Sequence, residues 1–502
     1  MMSSPTLFPL RPLEVASDRA GCAGRSDVPA MPDAALLERF NIAGPRYTSY
    51  PTADRFVEAF GHADLEAAYV QRCSIPALAN RPLSMYIHIP FCEALCYYCA
   101  CNKIITKHKE RAAPYLVDLE RELALVVQQL RMHTGSASGR GDDGGRAGML
   151  SQLHFGGGSP TFLSDEQLTQ WMARLREHFD FTPDAEVSIE VDPRTVNPAR
   201  LQHLRALGFN RLSFGVQDFD AAVQEAVHRV QSTEQVFELV HTARQLAFES
   251  INVDLIYGLP GQSQASFGQT LQTLVALKPD RVALYAYAHL PERFKPQRRI
   301  DSLRLPSADE KVALQALALQ AMNQAGYVDI GMDHFALPDD GLAAAKRKGL
   351  LHRNFQGYST QPDTDLIGLG VSSISKIGAT YSQNAKDIES YRDALEQGHL
   401  PVVRGLALSR DDLMRRDIIM GLMCQGVLDI ASIEQQWMVD FASAFAREWA
   451  QMRTFESDGL VQLSHEGIEV TAKGWTFVRA IAMVFDRYLQ EAQRRAQFSK
   501  IL

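Results

Sequence analysis

The 502-residue sequence lacks the features of membrane, secreted and nucleic-acid-binding proteins. No apolar run reaches the ~20 residues that a membrane-spanning helix requires. The first residues show no charged start followed by an apolar core, so we expect no secretory signal. The formal net charge is −8 and no Lys/Arg run marks a recognition helix, which argues against polyanion binding by the whole chain. We therefore expect a cytoplasmic protein that binds neither membrane nor nucleic acid.

Cysteine is scarce outside one short segment. The chain has seven cysteines, and four of them fall within ten residues, at Cys92, Cys96, Cys99 and Cys101. A secreted disulfide protein of this length would usually spread its cysteines, whereas tight clustering without an export signal suggests metal or cluster ligation in a reducing compartment. The remaining three have no motif around them and are interpreted as structural or incidental: Cys22, Cys73 and Cys424.

Apolar runs with strand character alternate with amphipathic helical stretches between residues 84 and 290. The six runs are SMYIHIP (84–90), LSQLHFGG (150–157), EVSIEVDP (186–193), RLSFGVQ (211–217), INVDLIYGLP (251–260) and RVALYAYAHL (281–290). This alternation predicts an α/β fold, a partial (β/α)6 TIM-like barrel with a parallel sheet. Chemistry in such barrels lies at the C-terminal ends of the strands. The clustered cysteines, the glycines at 156–158, Glu190 and Gln217 all fall at predicted strand ends.

The pattern divides the chain into five segments. We predict a disordered N-terminal extension (1–38), an N-terminal lid segment (39–80), a barrel core (81–300) with a flexible insertion (133–148), a barrel-completing and substrate-covering region (301–395) and a C-terminal helical, winged-helix-like domain (396–502). The last segment is predicted to contain helices at 408–426, 429–437 and 440–455, a hairpin at 458–474 and a final helix at 475–495. Acidic residues interspersed in it favour a packing role over DNA binding.

Cys92, Cys96 and Cys99 are spaced by four and three residues directly after the first predicted strand. Three thiolates in this pattern predict the ligands of a [4Fe–4S] cluster with one iron left open to bind a further molecule. Two alternatives remain: a structural zinc site, which usually has a second ligand pair far away in the sequence, and unligated thiols. We do not expect Cys101 to reach the same cluster.

The motif resembles that of the radical S-adenosylmethionine (SAM) superfamily. From about residue 40 to the C-terminus, successive blocks resemble the oxygen-independent coproporphyrinogen III oxidase family. Among these blocks are PRYTSYPTADRF (45–56), YIHIPFCEALCYYCACNK (86–103), HFGGGSPTFL (154–163), DLIYGLPGQ (254–262) and LHRNFQGYST (351–360). The resemblance implies one [4Fe–4S] cluster and two SAM molecules per chain, a monomeric state, and an unidentified reductant protein or electron acceptor.

The resemblance also implies an anaerobic step of heme synthesis. Two propionates of coproporphyrinogen III would be oxidatively decarboxylated to vinyls, giving protoporphyrinogen IX. A 5′-deoxyadenosyl radical made from SAM would remove a hydrogen from the β-carbon of a propionate, and the substrate radical would lose CO2 and one electron. The cofactor would carry this chemistry while the protein positions it and excludes water.

Site residues follow from the resemblance position by position. The contacts of the SAM on the cluster match Tyr86, Gly157, Glu190 and Ile374. Those of the second SAM match Tyr98, Gly158, Ser159, Gln217, Arg229, Asp254 and Ala288. Tyr86 and Cys101 are the catalytic candidates. Each position also has a structural interpretation: a surface ion pair for Glu190, core packing for Tyr86 and Ile374, and a buried thiol for Cys101.

Further candidates lie beside these blocks. Five histidines could donate protons or pair with propionates, although a structural role is the better expectation: His88, His154, His289, His334 and His352. Arg46 and Tyr47 are candidates for propionate binding or for a lid. Three other functions remain open: a heme chaperone of the same fold, another radical SAM enzyme such as a methylase, and a winged-helix regulator that uses the cluster to sense oxygen.

Overall fold

The computed structural model describes residues 36, 39, 40, 42–134 and 146–489. The predicted extension 1–38 and the predicted insertion 133–148 lie largely outside these residues. Cys22 and the end of the predicted final helix lie wholly outside them. Across the described ranges, no helix combines the length and the apolarity that crossing a bilayer would need.

Strands and helices alternate through the first part of the described chain. In order, the elements are α1 (His62–Ser74), α2 (Pro76–Ala79), β1 (Leu83–Ile89), β2 (Phe91–Cys92), β3 (Ile104–Ile105), α3 (Ala112–Thr134), β4 (Gly148–Gly157), α4 (Asp165–His178), β5 (Phe179–Val191), α5 (Pro198–Ala206), β6 (Arg211–Gln217), α6 (Ala221–Ala226), α7 (Thr233–Gln245), β7 (Ser250–Tyr257), α8 (Gln264–Leu277) and β8 (Arg281–Ala286).

Shorter strands follow, and then a mainly helical unit. In order, the elements are α9 (Ala308–Gln324), β9 (Val328–Gly331), β10 (His334–Ala336), α10 (Gly341–Arg347), β11 (His352–Asn354), β12 (Gly357–Ser359), β13 (Leu366–Leu369), β14 (Ile374–Ile377), β15 (Thr380–Asn384), α11 (Ile388–Glu396), β16 (Val402–Ala407), α12 (Arg410–Gln425), β17 (Val427–Asp429), α13 (Ile430–Trp437), α14 (Phe441–Ala444), α15 (Ala446–Ser457), β18 (Val461–Leu463), β19 (Gly467–Val470), α16 (Ala472–Trp475) and α17 (Val478–Met483).

Twelve strands form one sheet in the order β16-β15-β14-β13-β1-β4-β5-β6-β7-β8-β10-β9. Within it, β1, β4, β5, β6, β7 and β8 are parallel neighbours, and helices connect each to the next. The predicted partial (β/α)6 barrel is therefore confirmed. β13 adds a parallel strand beside β1. In the described residues β16 and β9 are the edges of the sheet, so the barrel does not close.

Side chains along the central strands alternate between an apolar outer face and a polar inner face. In β1, Met85 and Ile87 are fully buried on the outer face, where the connecting helices pack. On the inner face, Tyr86 pairs in register with His154, and His154 pairs with Ser188. Partners in register on parallel strands point to the same side of the sheet. The barrel interior is therefore lined by groups that can hydrogen-bond to a polar ligand.

The C-terminal unit has its own core, built around α12 and the three-stranded sheet β17-β19-β18. The helices predicted at 408–426 and 429–437 and the hairpin at 458–474 are confirmed. The helix predicted at 440–455 is interrupted at Phe445. The prediction of a continuous helix from 475 is wrong over the described residues. α16 ends at Trp475, because Phe477 turns into the core and is fully buried there.

The PRYTSYPT block packs against this C-terminal unit. Tyr47 and Tyr50 are fully buried in its core. The Tyr47 hydroxyl donates to a carboxylate oxygen of Asp486 at 2.9 Å, and Arg479 Nε donates to the Pro45 carbonyl at 2.8 Å. The start of the predicted lid segment is therefore held by contacts with residues more than 400 positions away. Its role as a lid stays a prediction.

We expect Tyr47→Phe to lower the free energy of unfolding by about 1.5–3 kcal/mol, because a hydrogen bond to a buried carboxylate is lost. Burial raises the pKa of Asp486 to about 6, although the Tyr47 bond opposes this rise. Without the bond the pKa rises further, so the loss should be larger at pH 8 than at pH 5. Thermal unfolding at both pH values measures it.

Tyr327→Phe is the matched control, since its buried hydroxyl donates to the neutral carbonyl of Pro279 at 2.6 Å. Its loss should be smaller and should change little with pH. Equal and pH-independent losses for the two variants would show that the Asp486 bond does not hold the N-terminal block.

Candidate active site

The three clustered cysteines lie in a loop that is closed at its base, which we call the cysteine loop (residues 92–104). It begins where β2 ends at Cys92 and returns through β3, which pairs with β2 in parallel. The Ile104 amide donates to the Pro90 carbonyl at 2.7 Å, and the Thr106 amide donates to the Cys92 carbonyl at 2.9 Å. The loop follows β1 at its C-terminal end, as predicted, and its closed base keeps the cysteines together.

The three thiols are free and interact electrostatically. Burial raises the pKa of Cys92 to about 12, with a further rise from the charges of Cys99 and Cys96. A hydrogen bond from the Cys101 thiol lowers the pKa of Cys99 to about 6.

Among the described residues, no three His, Cys, Asp or Glu side chains converge on a point that could hold a single metal ion. The ligands of a [4Fe–4S] cube sit on different irons, so this donor set fits such a cluster better than zinc.

Two guanidinium groups face the sulfur of Cys96. Arg229 Nη1 lies 3.3 Å from Cys96 Sγ, and Arg194 Nη2 lies 3.5 Å from it. Asp192 pairs with both arginines, at 3.3 Å from Arg229 Nη2 and 2.7 Å from Arg194 Nη2. Burial acts to raise the pKa of Asp192, but the charge of Arg229 and the bonds from Arg194 lower it overall. Two positive charges against one negative charge leave a net positive charge facing this sulfur, which complements the negative charge of an iron-bound thiolate.

The glycine run at the end of β4 lets this strand lie against the start of the cysteine loop. A Cβ on Gly158 would lie 2.7 Å from the Phe91 carbonyl oxygen and 2.8 Å from the Pro90 carbonyl carbon. The Gly158 amide donates to the Ile89 carbonyl at 2.8 Å. Gly157 adopts a φ of +113°, where glycine is favoured. The glycines thus have a packing partner that the sequence could not identify.

Glu190 presents a carboxylate to the barrel interior. Its Oε2 accepts from the Gly157 amide at 3.1 Å, and its Oε1 lies 3.4 Å from His154 Nε2. Burial acts to raise its pKa, but the hydrogen bond from His154 lowers it overall, so the group is ionised at neutral pH. Solvent reaches 43% of the side chain although protein surrounds it, which places that surface on a cavity. Glu190 is thus paired with His154 inside the barrel, and its role towards a cofactor stays a prediction.

Tyr86 is linked to the cysteine loop through a histidine. Its hydroxyl lies 3.0 Å from His88 Nδ1, and His88 Nε2 lies 3.0 Å from the Asn102 carbonyl. Burial lowers the pKa of His88, so the ring is neutral. The carbonyl needs a donor, which assigns the proton to Nε2 and makes Tyr86 the donor to Nδ1. Gly368 pairs with Tyr86, and Ile374 packs directly against Gly368.

Asp254, within β7, and Gln217, at the end of β6, form a second polar group. Asn252 Nδ2 donates to Asp254 at 2.7 Å, and the Ser213 hydroxyl donates to it at 3.3 Å. Burial, together with the charge of Glu190, raises the pKa of Asp254 to about 7. The Gln217 Oε1 atom is buried without a hydrogen-bond partner. Both groups therefore have acceptor capacity left for the hydroxyl or amino groups of a ligand.

Gln297 brings two other predicted contacts together. Its Nε2 donates to the Tyr98 carbonyl at 3.1 Å and to the Ala288 carbonyl at 3.2 Å. The side chain is only 2% exposed. Nothing in its sequence context, a glutamine before two arginines, distinguishes it from a surface residue. Arg194 was also missed as a candidate, although it directly follows the third predicted strand run.

Two predicted contacts have other partners in this structure. The Ser159 hydroxyl lies 3.8 Å from Cys92 Sγ, at the cysteine loop. Arg229, a predicted contact of the second SAM, is bound to Asp192 and donates from Nε to the Gly215 carbonyl at 3.0 Å. Cys101 lies beside Cys99 and near Glu190. The cofactor roles of all these residues stay predictions.

Comparison with known proteins places these features in context. Two family profiles match: the Radical SAM superfamily over residues 86–274 and the HemN C-terminal domain over residues 408–477. The oxygen-independent coproporphyrinogen III oxidase of Escherichia coli is 48% identical over 470 residues, covering 94% of this chain and 98% of its own length. Its counterpart in Pseudomonas aeruginosa is 48% identical over 473 residues, with the same coverage.

A solved structure shares the fold as well. It is described as "Coproporphyrinogen III oxidase (HemN) from Escherichia coli is a Radical SAM enzyme" and matches with a TM-score of 0.83 at 48% identity. The match covers 91% of this chain and 99% of that one. It therefore spans the barrel and the C-terminal unit together. The relatives named here are oxidases, so the heme-chaperone alternative is not favoured.

We expect Gly158→Ala to reduce iron bound per chain after anaerobic reconstitution and to lower the free energy of unfolding by about 1–3 kcal/mol, because the new methyl group would meet backbone atoms that cannot move alone. Iron analysis and thermal unfolding measure the two effects.

Gly268→Ala is the control. A Cβ there meets only Leu317, at 3.8 Å, within α8. That variant should bind iron normally and gain about 0.5–1 kcal/mol. Equal iron content in both variants would contradict the packing role of Gly158.

We expect the affinity for SAM to rise about fivefold between pH 6 and pH 8, because an ionised Asp254 accepts stronger hydrogen bonds than a protonated one. The midpoint should lie near the Asp254 pKa of about 7. Asp254→Asn should remove this dependence. Glu190→Gln should weaken binding and move the midpoint to lower pH, since the charge of Glu190 raises the pKa of Asp254. Equilibrium dialysis of SAM across this pH range is the measurement. An unchanged pH profile in Asp254→Asn would assign the titration to another group.

Proposed function

The chain belongs to the oxygen-independent coproporphyrinogen III oxidase family, and we propose that the site at the C-terminal ends of its parallel strands performs that family's reaction. The reaction is the oxidative decarboxylation of two propionates of coproporphyrinogen III to vinyls, which gives protoporphyrinogen IX. The observation that carries the assignment to this site is the closed cysteine loop, whose three free thiols lie beside the polar inner face of the barrel.

We propose that Cys92, Cys96 and Cys99 hold one [4Fe–4S] cluster. When bound, this cluster and SAM supply a 5′-deoxyadenosyl radical, which is strong enough to remove hydrogen from an unactivated C–H bond. The protein contributes the charge balance. Arg194 and Arg229 face the sulfur of Cys96, and their positive charge complements that of an anionic cluster ligand.

We propose two SAM molecules, because two separate polar groups line the same interior. The first consists of Tyr86, Gly157 and Glu190, with Ile374 nearby. The second contains Gln217 and Asp254, and Tyr98 and Ala288 are joined beside it through Gln297. Each group has an acidic side chain with remaining acceptor capacity, which suits the hydroxyl and amino groups of a nucleoside and an amino acid.

We propose that Tyr86 and Cys101 contact the reacting molecules. The Tyr86 hydroxyl is held by the neutral ring of His88, which fixes its direction towards the interior. The Cys101 thiol is exposed to solvent and lies near Glu190, so both groups face the same cavity. Because Tyr86 donates its proton to His88 and Cys101 donates its proton to Cys99, the remaining lone pairs of both groups can accept hydrogen bonds from a bound molecule.

We further propose a monomeric enzyme that works in the cytoplasm with a separate reductant protein. All six cysteines in the described part of the chain are free, which suits a reducing compartment. An iron site left open for a cofactor also suits anaerobic conditions, since oxidants would reach it.

We expect the reconstituted protein to convert coproporphyrinogen III with SAM and a strong reductant, under anaerobic conditions, into protoporphyrinogen IX and 5′-deoxyadenosine. Mass spectrometry reads both products in one sample. Cys96→Ser should abolish both, because the cluster loses a ligand. Cys73→Ser is the matched control, since Cys73 lies outside the site and its thiol contacts the Leu130 carbonyl at 3.8 Å, a bond that a hydroxyl can also make.

The two products separate the remaining possibilities. Deoxyadenosine without a decarboxylated porphyrinogen would keep the radical chemistry and reject the substrate. Neither product, together with tight heme binding, would favour a chaperone.

A further inference from the structure

Three arginines from distant segments meet at the wall of the barrel interior, and we call Arg46, Arg353 and Arg479 the arginine group. Arg353 Nε donates to the Arg46 carbonyl at 3.4 Å, and Arg479 Nε donates to the Pro45 carbonyl at 2.8 Å. The backbone on both sides of the Arg46 Cα is therefore fixed by the other two arginines. The Arg46 side chain takes no part in these backbone contacts, so it can extend away from its own segment.

Arg46 points into the barrel. Its guanidinium lies 5.5 Å from the centroid of the Tyr285 ring, and Tyr285 lies on β8. Asp254 pairs in register with Ala283, two residues before Tyr285, so Asp254 and Tyr285 lie on the same inner face. The pKa of Tyr285 is raised by burial and by Asp254, and it is lowered by Arg46 and Arg353. Tyr285 therefore lies between the carboxylates of Asp254 and Glu190 and the arginine group.

Arg46 and Arg353 carry more positive charge than the carboxylates paired with them balance. Arg46 pairs with Asp333 at the long distance of 3.4 Å, and both side chains are partly open to solvent, at 29% and 22%. Among the described residues, Arg353 has no ion pair with a carboxylate. His334 adds no charge, because burial and the charge of Arg353 lower its pKa to about 3.

One of these arginines also has an unused donor. Arg353 is 7% exposed, its guanidinium stacks 4.5 Å from the Tyr358 ring centroid, and its Nη1 has no hydrogen-bond partner. A buried guanidinium nitrogen without an acceptor is costly. A ligand carboxylate beside Arg46 would supply that acceptor and would reduce the excess charge.

We propose that Arg46 and Arg353 bind the carboxylate of a propionate that is not being decarboxylated, and so anchor the porphyrinogen against Tyr285. This inference rests on the proposed function, because it needs a substrate with several carboxylates. The anchored group should be a spectator. A carboxylate held by two guanidinium groups is stabilised as an anion, and this opposes its departure as CO2. A reacting propionate would therefore occupy the other side of Tyr285, near Glu190 and Asp254.

Arg46→Gln tests the proposal, with coproporphyrin III as a stable fluorescent probe and its tetramethyl ester as the probe without charge. We expect Arg46→Gln to weaken binding of the tetra-acid about 10- to 100-fold, because a charge-assisted pair is lost. The ester should bind the variant and the wild-type chain equally. Arg46→Lys should show an intermediate loss, since lysine keeps the positive charge but cannot form the two parallel hydrogen bonds of a guanidinium.

Arg55→Gln is the matched control, because Arg55 lies in the same N-terminal segment and also stacks on a tyrosine, 5.5 Å from the Tyr488 ring centroid, but pairs with Asp54. It should bind both probes like the wild-type chain. In turnover, Arg46→Gln should raise KM for coproporphyrinogen III by the same factor as the binding loss, with a smaller change in kcat and unchanged SAM affinity.

The outcomes that overturn the proposal are distinct. Unchanged tetra-acid binding in Arg46→Gln would reject the carboxylate site, and an equal loss for the ester would show a packing effect instead. Loss of SAM affinity would assign Arg46 to the cofactor. A wild-type chain that makes deoxyadenosine but neither binds nor converts coproporphyrinogen III would reject the proposed function, and the anchor with it.

Discussion

The carboxylate of Asp192 holds two guanidinium groups beside the sulfur of Cys96, and the geometry of the site depends on this arrangement. Burying Arg194 and Arg229 without a counter-charge would be costly. Asp192 balances part of their charge, and the remaining positive charge faces the sulfur of Cys96. Removing Asp192 would leave both arginines without a carboxylate partner in a low-dielectric region.

The polar interior of the barrel also depends on giving each buried polar group a partner. Each central strand places apolar side chains against the helices and polar side chains inside, so the outer face supplies the hydrophobic stabilisation and the inner face is left for chemistry. The inner groups are paired with one another where they can be, as in the contact of Glu190 with His154. Where pairing is incomplete, at Asp254 and Gln217, the remaining acceptors are the places where we propose that a ligand takes the position of a protein partner.

Much of this could be predicted from the sequence, because the signals are local. The strand ends, the spacing of Cys92, Cys96 and Cys99, and the glycines before residue 159 are all readable within short windows. Contacts between distant segments could not be predicted. Gln297 looks like a surface residue until it is seen to bind two carbonyls near the cysteine loop. The break after Trp475 was missed for a related reason: helical periodicity continues, and burial of Phe477 overrides it.

The N-terminal block shows why the cavity needs both ends of the chain. The backbone that carries Arg46 is held by Arg353 and by Arg479, which belongs to α17 in the C-terminal unit. The side chain itself reaches the barrel at Tyr285. This wall is therefore built by the barrel, the C-terminal unit and the N-terminal block together. The C-terminal unit thus has a packing role, because Arg479 of α17 holds the backbone beside Arg46.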